Sequence, residues 1–495
     1  MLRISPRKCL WRTAIAGLAL AGSLITQQSW SKPVLAANNY CRFTKEEIAT
    51  KENLLRATLE GDEQAEKQYW ATLKQHSQML RRCRQRTWPQ NQAIWLRLYP
   101  CDIRSGAIDY VLDRAVNLGY NRIYLEVFFD SQVLLPPADN PTPWLTVVRS
   151  PGAENIDLLA ETIAKGRKRG LQVYAAMYTL NFGYSYAQLP AKKGVLARNR
   201  KGENSLAVVS GGSQAFIDPY NRQARIDYDR LVRSVLKRRP DGVLFDYVRY
   251  PQGTGTRSAV NKVGDLWIYG DASRQALYNR AKNNKGRALI ERFITKGHIT
   301  AQDVIALDKL YPTEKIPLWE GRQATATEAK ASASVRQQIW RSQLWNLSVN
   351  HATQGVLDFL SFASSPFAQQ GIPTGAVFFP EGNRRLGKRG FDSRLQPWDK
   401  FPSSMEWHPM AYAVCGNNTS CVVKQVQQTL AKAPPNTKVI PAIAGIWGQS
   451  YRDHPPLEVQ MQALRSAFPQ INSLSHFAYP WIEPQRDRHR RFCNL

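Results

Sequence analysis

One acidic residue interrupts an apolar stretch near the middle of the chain. Residues 241–250 read DGVLFDYVRY, and Asp246 follows four uncharged residues. A carboxylate among apolar side chains must be paired, be hydrogen-bonded or have a raised pKa, because its charged form loses hydration on burial. A carboxyl group with a raised pKa can act as a general acid or base. The structural alternative is an ion pair with Arg97, Arg249 or Arg104.

Hydrolysis of a glycosidic bond generally needs a second carboxyl group, which acts as base or nucleophile. Acidic residues near the ends of other predicted strands are candidates for this group. They are Glu126, Asp130, Glu381 and Glu483. Each is also explained as a surface acid or a salt-bridge partner. We take Glu126 and Glu381 as catalytic candidates beside Asp246, and Glu483 as a substrate-binding candidate.

The elements that must position these residues are eight short apolar runs that mostly alternate with amphipathic helical patterns. Strands are predicted at 93–99, 122–129, 171–179, 241–250, 374–379, 405–412, 438–446 and 471–481. Helices are predicted at 108–117, 157–169, 222–238, 335–360, 422–431 and 457–467. Eight parallel strands with right-handed crossovers predict an α/β protein with a (β/α)8 TIM barrel. An open doubly wound sheet is the alternative, but no glycine-rich phosphate-binding turn follows the first strand.

The rest of the chain completes the domain organisation. The predicted segments are a signal peptide at 1–36, a helical hairpin at 37–90 that breaks at Gly61 and Asp62, the glycoside-hydrolase-like barrel at 91–484, and a basic C-terminal tail at 485–495. A long insertion, 252–333, follows the fourth strand, on the face where such barrels carry their chemistry. It is interpreted as a lid, a wall of the cleft or a mobile decoration. Residues 381–404 show no convincing helix.

The N-terminus has the pattern of an export signal. Four basic residues precede the apolar stretch 14–25, and small residues precede position 37, where a peptidase would cut. An uncleaved membrane anchor is the alternative. Removal of 1–36 lowers the net charge from +28 to +23, which favours an anionic neighbour. Export to the periplasm or the extracellular space argues against nucleic acid and favours a polysaccharide or a membrane surface, although a solvated basic surface explains the charge equally well.

Six cysteines follow the predicted signal peptide, and an even number in an exported chain indicates disulfides. Cys415 and Cys421 bracket a turn-rich loop and can close locally. Cys41 and Cys83 flank the predicted helical hairpin, which brings its ends together. Cys101 and Cys493 then remain, after the first strand and beyond the eighth, which are neighbours in a closed barrel. No spacing of His and Cys resembles a metal site, and no cofactor is expected.

Further candidates for substrate binding lie on the later strands. His408 and Tyr412 share one face of the sixth strand because they are an even number of residues apart. Trp447 follows the seventh strand and Trp481 ends the eighth, and both would offer flat apolar faces for stacking on sugar rings. Core packing is the alternative role for each aromatic residue.

Three segments together resemble a known family. They are 215–221, which reads AFIDPYN; 241–251, which reads DGVLFDYVRYP; and 408–412, which reads HPMAY. The chain resembles the glycosyl-hydrolase-like, family-10-like TIM-barrel proteins of bacterial envelopes, formerly classed as domains of unknown function. The resemblance implies an exported polysaccharide hydrolase, and some relatives act on cell-wall glycan. It implies Asp246 as the catalytic acid, and Asp218, Arg249, Tyr250 and Tyr412 as residues that shape the site.

The chain departs from this family at several positions. Many members have Gln where Glu126 stands and a second Asp where Tyr247 stands, and the seventh strand lacks the nucleophilic Glu of retaining barrel glycosidases. The sequence therefore predicts an exported glycoside hydrolase of a polymeric glycan, neutral or anionic, with an unidentified second carboxylate. The alternative is a non-catalytic wall-binding or polysaccharide-binding protein on the same barrel. Another reaction at a sugar, such as deacetylation or transglycosylation, is a third possibility.

Overall fold

The computed structural model describes residues 40–209, 212–416 and 418–493, and eight of its strands run parallel in one sheet. These strands are β1 Asn91–Leu96, β2 Arg122–Phe129, β3 Gln172–Tyr178, β4 Gly242–Asp246, β5 Thr374–Phe378, β6 Glu406–Pro409, β7 Ala442–Ala444 and β8 Ser473–Phe477. The hydrogen-bonded order is β6-β5-β4-β3-β2-β1-β8-β7. Parallel bridges Trp407–Val439 and Met410–Ala442 then join β6 to the β7 segment. The predicted (β/α)8 barrel is confirmed, and the open-sheet alternative is wrong.

Helices surround this barrel and precede it. Those in the described residues are α1 Lys45–Leu59, α2 Glu63–Arg86, α3 Ala107–Asn117, α4 Leu158–Lys168, α5 Tyr184–Gln188, α6 Arg222–Lys237, α7 Asp271–Tyr278, α8 Asn284–Lys296, α9 Ala301–Leu310, α10 Ala326–Lys330, α11 Ala333–Gln369, α12 Ser420–Leu430, α13 Leu457–Ala467, α14 Tyr479–Ile482 and α15 Pro484–Arg491. α11 is longer at both ends than the helix predicted at 335–360.

The fourth strand is buried on both faces, as expected for a parallel barrel strand. Leu244 packs in the barrel interior, whereas the ring of Phe245 lies 6.4 Å from that of Phe367 on α11. Side chains alternate along a strand, so Asp246 points inward like Leu244. The alternation places the carboxyl group inside the carboxyl-terminal end of the barrel.

The helical hairpin before the barrel is confirmed. Thr44 accepts a hydrogen bond from the Glu47 N–H, and Glu47 reciprocates, so a capping box begins α1. Asp62 caps α2 by accepting from the Ala65 N–H at 2.9 Å. The two helices are therefore each started by a local side-chain cap, with the predicted break between them.

The insertion after β4 is packed onto the barrel helices. Its helix α9 is joined to α11 by an ion pair of 2.6 Å between Asp308 and Arg336. Beside the start of α7, the ring of Tyr220 stacks on His351 of α11 at 4.3 Å. No α-helix lies between β5 and β6 in the described residues. Two short antiparallel strands lie there, Arg385–Leu386 and Gly390–Asp392, and the second of them also pairs with Ala259–Val260 of the insertion.

The three predicted disulfides are confirmed. Cys41–Cys83, Cys101–Cys493 and Cys415–Cys421 are all bonded, which is typical of an oxidising compartment. The predicted signal peptide, 1–36, lies outside the described residues. None of the helices in the described ranges combines the length and the apolar character that a membrane crossing requires. At the start of the predicted basic tail, α15 buries Arg490 against Asp102 at 2.7 Å.

Candidate active site

The carboxyl-terminal ends of β2, β3 and β4 bring several polar side chains together. Tyr178 of β3 stands in register with Asp246 of β4. Glu126 of β2 lies in register with Ala176, two residues earlier on β3. Because residues two apart on a strand share a face, Glu126, Tyr178 and Asp246 all point into the barrel mouth.

The carboxyl group of Asp246 is half-buried, and one of its oxygens accepts a hydrogen bond of 2.6 Å from the Tyr247 N–H. Burial raises the pKa of Asp246 to about 6, and the negative charge of Glu126 adds to this rise. The backbone hydrogen bond and the nearby Arg249 cation act in the opposite direction. Asp246 is therefore a carboxyl group that exchanges its proton close to neutral pH.

Glu126 is held by a cation. Its carboxylate forms an ion pair with Arg97, whose guanidinium also lies 3.4 Å from Asp130. Burial raises the pKa of Glu126, and the charge of Arg97 opposes that rise by stabilising the ionised form. The salt-bridge explanation of Glu126 is thus correct as far as its contact is concerned. The two neighbouring carboxyl groups, those of Glu126 and Asp246, are therefore in different environments. Such a difference allows one carboxyl group to act as an acid and the other as a base.

Neutral hydroxyl groups flank the two carboxyl groups. Burial and the charge of Glu126 raise the pKa of Tyr178 well above its usual value, so the phenol stays protonated. Burial and the charge of Asp246 do the same to the pKa of Tyr412. Tyr178 was missed in the sequence, although its spacing from Tyr174 marks it as the last inward residue of β3. Both phenols can donate hydrogen bonds to an oxygen in the site.

The backbone is strained where β2 and β4 end. Tyr247 has a φ of 52°, and Asp130 and Ser131 have φ of 44° and 63°. Residues other than glycine rarely adopt this left-handed region, and such strain is concentrated at functional sites. The strained residues adjoin Asp246 and lie just beyond Glu126, at the same end of the barrel.

Arg249 and a chain of aromatic rings complete the surroundings. The guanidinium of Arg249 lies 4.6 Å over the ring of Tyr247 and donates to the Tyr250 carbonyl at 3.0 Å. A second group of rings begins at Tyr412. Its ring lies 5.6 Å from that of Phe477, and the ring of Phe477 lies 5.9 Å from that of Trp481. These rings form an aromatic wall that starts beside Asp246, and Trp481 is part of it.

A groove lies beside Arg97, the ion-pair partner of Glu126, although neither Glu126 nor Asp246 lines it. It has a volume of about 680 Å³ and is lined by Arg97, Asp130, Arg149 and Arg491, among others. Because three of these four residues are cations, the groove is suited to a polar ligand with acidic or hydroxyl groups. Among the residues the structure describes, no group of three or more His, Cys, Asp and Glu is arranged to hold a metal ion.

Two of the acidic candidates are engaged elsewhere. Glu381 accepts a hydrogen bond of 2.6 Å from Gln425 of α12. Glu483 forms an ion pair of 2.7 Å with Arg114 of α3 and a second one with Arg486 of α15. Neither carboxylate is among the charges that shift the pKa of Asp246. The structure therefore does not bring them to the pair formed by Asp246 and Glu126.

Asp218 and Tyr250 do not line the barrel mouth, in contrast to the expectation. Asp218 is fully buried and accepts hydrogen bonds from the N–H groups of Tyr220, at 3.0 Å, and Ser273, at 2.9 Å. Tyr250 is fully buried, and its hydroxyl lies 3.4 Å from the Ala352 carbonyl. Both side chains join the insertion and α11 to the barrel, so their contacts are structural.

His408 and Trp447 are also placed differently from the expectation. His408 is fully buried inside the barrel, 3.4 Å from Glu406 and with its ring edge-on to Tyr124. It lies too deep to contact a substrate at the mouth. The ring of Trp447 is covered by the guanidinium of Arg42, at 3.9 Å, so it packs against the segment that precedes α1.

Comparisons with known proteins give fold-level likeness only. No family model matches the chain, and no curated protein matches it. Solved structures that resemble it include a β-galactosidase from Marinomonas ef1 at 12% identity and TM-score 0.46, covering 79% of this chain and 54% of that one. A GH20 exo-β-N-acetylglucosaminidase from Vibrio harveyi has 9% identity and TM-score 0.38, covering 82% and 52%.

A third such structure is a GH18 chitinase from Pseudoalteromonas aurantia, at 11% identity and TM-score 0.34, covering 81% of this chain and 96% of that one. The chain spans only about half the length of the β-galactosidase and of the acetylglucosaminidase. TM-scores below 0.5 at these identities establish neither a family nor an activity for this chain.

Proposed function

We propose that this protein is a glycoside hydrolase of a polymeric glycan, with Asp246 as general acid and Glu126 as the second carboxylate. The proposal rests on one observation: a carboxyl group whose pKa is raised to about 6 lies within the electrostatic reach of a second, arginine-paired carboxylate at the mouth of a (β/α)8 barrel. The predicted signal peptide and the three disulfides support an exported enzyme, and cell-wall glycan is the proposed substrate.

The proposed reaction follows from the two environments. Protonated Asp246 would donate its proton to the glycosidic oxygen as the bond between that oxygen and the anomeric carbon breaks. Ionised Glu126 would either activate a water molecule or bond to the anomeric carbon, and water finally supplies the new hydroxyl group. Tyr178 and Tyr412 would donate hydrogen bonds to sugar oxygens, and the aromatic wall with Trp481 would contact a sugar face.

Glu126 and Glu381 can be distinguished by matched substitutions. We expect Glu126→Gln to lower kcat/KM by about 10²–10⁴-fold, the usual contribution of one acid–base group. Glu381→Gln is the control, since its oxygen contacts Gln425 away from Asp246, and it should stay within about threefold of the wild type. Release of reducing ends from purified cell wall and from a panel of glycans measures both. A larger loss for the Glu381 variant would make Glu381 the second carboxylate.

The activity should fall as the pH rises through about 6. A general acid must be protonated, and the pKa of Asp246 is raised to about 6 by burial and by Glu126. Arg249→Met should shift this fall in activity to higher pH, because the Arg249 cation lowers the pKa of Asp246 and its removal lets that pKa rise. The measurement is kcat/KM against pH for both proteins. A rate that increases through this range would contradict the role of acid and indicate a base.

The second candidate function is polysaccharide binding without catalysis. The ion pair between Glu126 and Arg97 favours it, because a carboxylate neutralised by a partner can be purely structural. Binding of a glycan by wild-type protein, with no product from any substrate of the panel, would support this function over hydrolysis.

A further inference from the structure

A strongly basic pocket lies outside the barrel mouth. It has a volume of about 360 Å³ and is formed by the insertion, by α11 and by the loop between β5 and β6. Five of its lining residues are cations and none is acidic. These cations are Lys262, Arg341, Arg385, Lys388 and Arg389. Several like charges around one concave site repel each other, and the binding of an anion relieves that repulsion.

The cations are available to a ligand. All five side chains are exposed, and none of them forms an ion pair with any residue in the described part of the chain. Other surface arginines of this protein do form such pairs, for example Arg233 with Asp229 at 2.6 Å. The positive charge of the pocket is therefore not neutralised by the protein itself.

The pocket is also built on ordered contacts. The short strands Arg385–Leu386 and Gly390–Asp392 form a hairpin with Lys388 and Arg389 at its tip. Trp345 of α11, nearly buried, donates from its indole N–H to the Arg389 carbonyl at 3.1 Å. The ring of Phe391 lies 6.2 Å from that of Trp345. These contacts fix the hairpin against α11 and hold its cations around the pocket.

We propose that this basic pocket binds acidic groups, carboxylate or phosphate, of a polysaccharide outside the catalytic site. The identity of the ligand as a glycan rests on the proposed function, whereas its acidic character rests on the five cations. A neighbouring cavity of about 400 Å³ shares Asn261 and Lys262 with the pocket and reaches Pro251, just after β4. One acidic chain can therefore extend from the direction of the barrel mouth into the pocket.

An anionic membrane fits this surface less well. The pocket is concave, and none of the large apolar side chains that are exposed in the described residues lines it. A membrane-docking surface needs apolar side chains that enter the lipid beside its cations. A polymer chain needs only a groove with cations at intervals. The pocket provides five cations, and the neighbouring cavity adds Lys201 and Arg257 beside the acidic Glu203 and Asp265.

The test compares two triple charge reversals in the full protein. We expect Arg385→Glu, Lys388→Glu and Arg389→Glu together to weaken binding of polygalacturonate and of poly(glycerol phosphate) by about tenfold or more at low salt. The control is Lys74→Glu, Arg81→Glu and Arg82→Glu on α2, which changes the net charge equally at exposed residues. It should bind within about twofold of the wild type. Neutral dextran should not bind to the pocket, and added salt should weaken wild-type binding more than that of the hairpin variant.

Several outcomes would overturn this inference. Equal losses in the two triples would mean that net charge alone attracts the polymer, and unchanged binding in the hairpin triple would remove the site. Loss of binding to phosphatidylglycerol vesicles with polygalacturonate binding retained would identify a membrane site instead. If the hairpin triple does not fold, Lys388→Gln with Arg389→Gln gives the same comparison. Asp246→Asn should bind the polymers like the wild type, so failure of catalysis and failure of the pocket are distinguishable.

Discussion

Replacement of Asp246 by Asn is expected to abolish glycan cleavage and, at the same time, to stabilise the folded protein near neutral pH. Asn keeps the shape of the side chain but cannot donate a proton as an acid, so kcat/KM should fall by about 10²–10⁴-fold. Its oxygen can still accept the hydrogen bond from the Tyr247 N–H, which preserves the local backbone. Release of reducing ends measures the loss, and retention of full activity would refute the assignment of Asp246.

The expected gain in stability follows from the raised pKa. The folded protein holds the Asp246 proton more tightly than the unfolded chain, since the pKa rises from 3.8 to about 6. The stability that this gives is complete below the unfolded pKa and is lost as the pH rises through about 6. The Asn side chain does not titrate in this range, so the variant undergoes no such loss of stability. As the pH rises from acidic to neutral, its free energy of unfolding should therefore gain about 3 kcal/mol relative to that of wild type.

Urea unfolding of both proteins at acidic and at neutral pH measures this gain. Asp218→Asn is the matched control, because burial also raises the pKa of Asp218 to about 6. The two oxygens of its carboxylate accept hydrogen bonds from two backbone N–H groups. The amide of Asn has one oxygen only, so its NH2 group would face the second backbone N–H, and two donors would oppose each other. Asp218→Asn should therefore destabilise the protein without removing the acid. An Asp246→Asn variant that is less stable than wild type at neutral pH would show that the carboxylate is structural.

The second large effect is expected at Arg169, which joins the helical hairpin to the barrel. Its buried guanidinium donates to Asp113 and Asp109 at 2.8 Å and to the Tyr69 hydroxyl at 2.6 Å. Arg169→Met would leave the buried carboxylate of Asp113 without its nearest cation, since Lys51 lies 3.9 Å away, whereas Asp109 keeps its ion pair of 2.5 Å with Lys165. The expected cost is about 3–5 kcal/mol in the free energy of unfolding.

The control for this substitution is Arg233→Met on α6. Its side chain is 75% exposed and forms a single ion pair with Asp229. An exposed pair contributes about 0–1 kcal/mol, so this variant should unfold close to wild type. Urea denaturation gives both values, and proteolysis of α1 and α2 reports whether the hairpin separates first. Similar values for the two arginines would show that the buried network adds nothing to stability.

Local sequence patterns were enough to predict several features. The apolar runs and the helical periodicity of the chain depend only on neighbouring residues, and they predicted the eight strands and the closed barrel. The pair Cys101–Cys493 was the one that remained after the two local pairs were assigned, and barrel closure, which brings β1 beside β8, supported it. Asp246 could be placed at the mouth because side-chain alternation along β4 is a property of the strand itself.

Tertiary structure decided which residues Asp246 meets. Glu381 follows β5, the neighbouring strand, yet it turns to Gln425, whereas Glu126 reaches Asp246 electrostatically across the barrel end. His408 shares a face with Tyr412 but lies deeper in the barrel. The depth of a side chain depends on the stagger between strands, and its partners come from loops distant in the sequence. The sequence of a single strand contains neither the stagger nor these partners. The sequence therefore determined the position of the catalytic candidate, and only the folded barrel determined its partners.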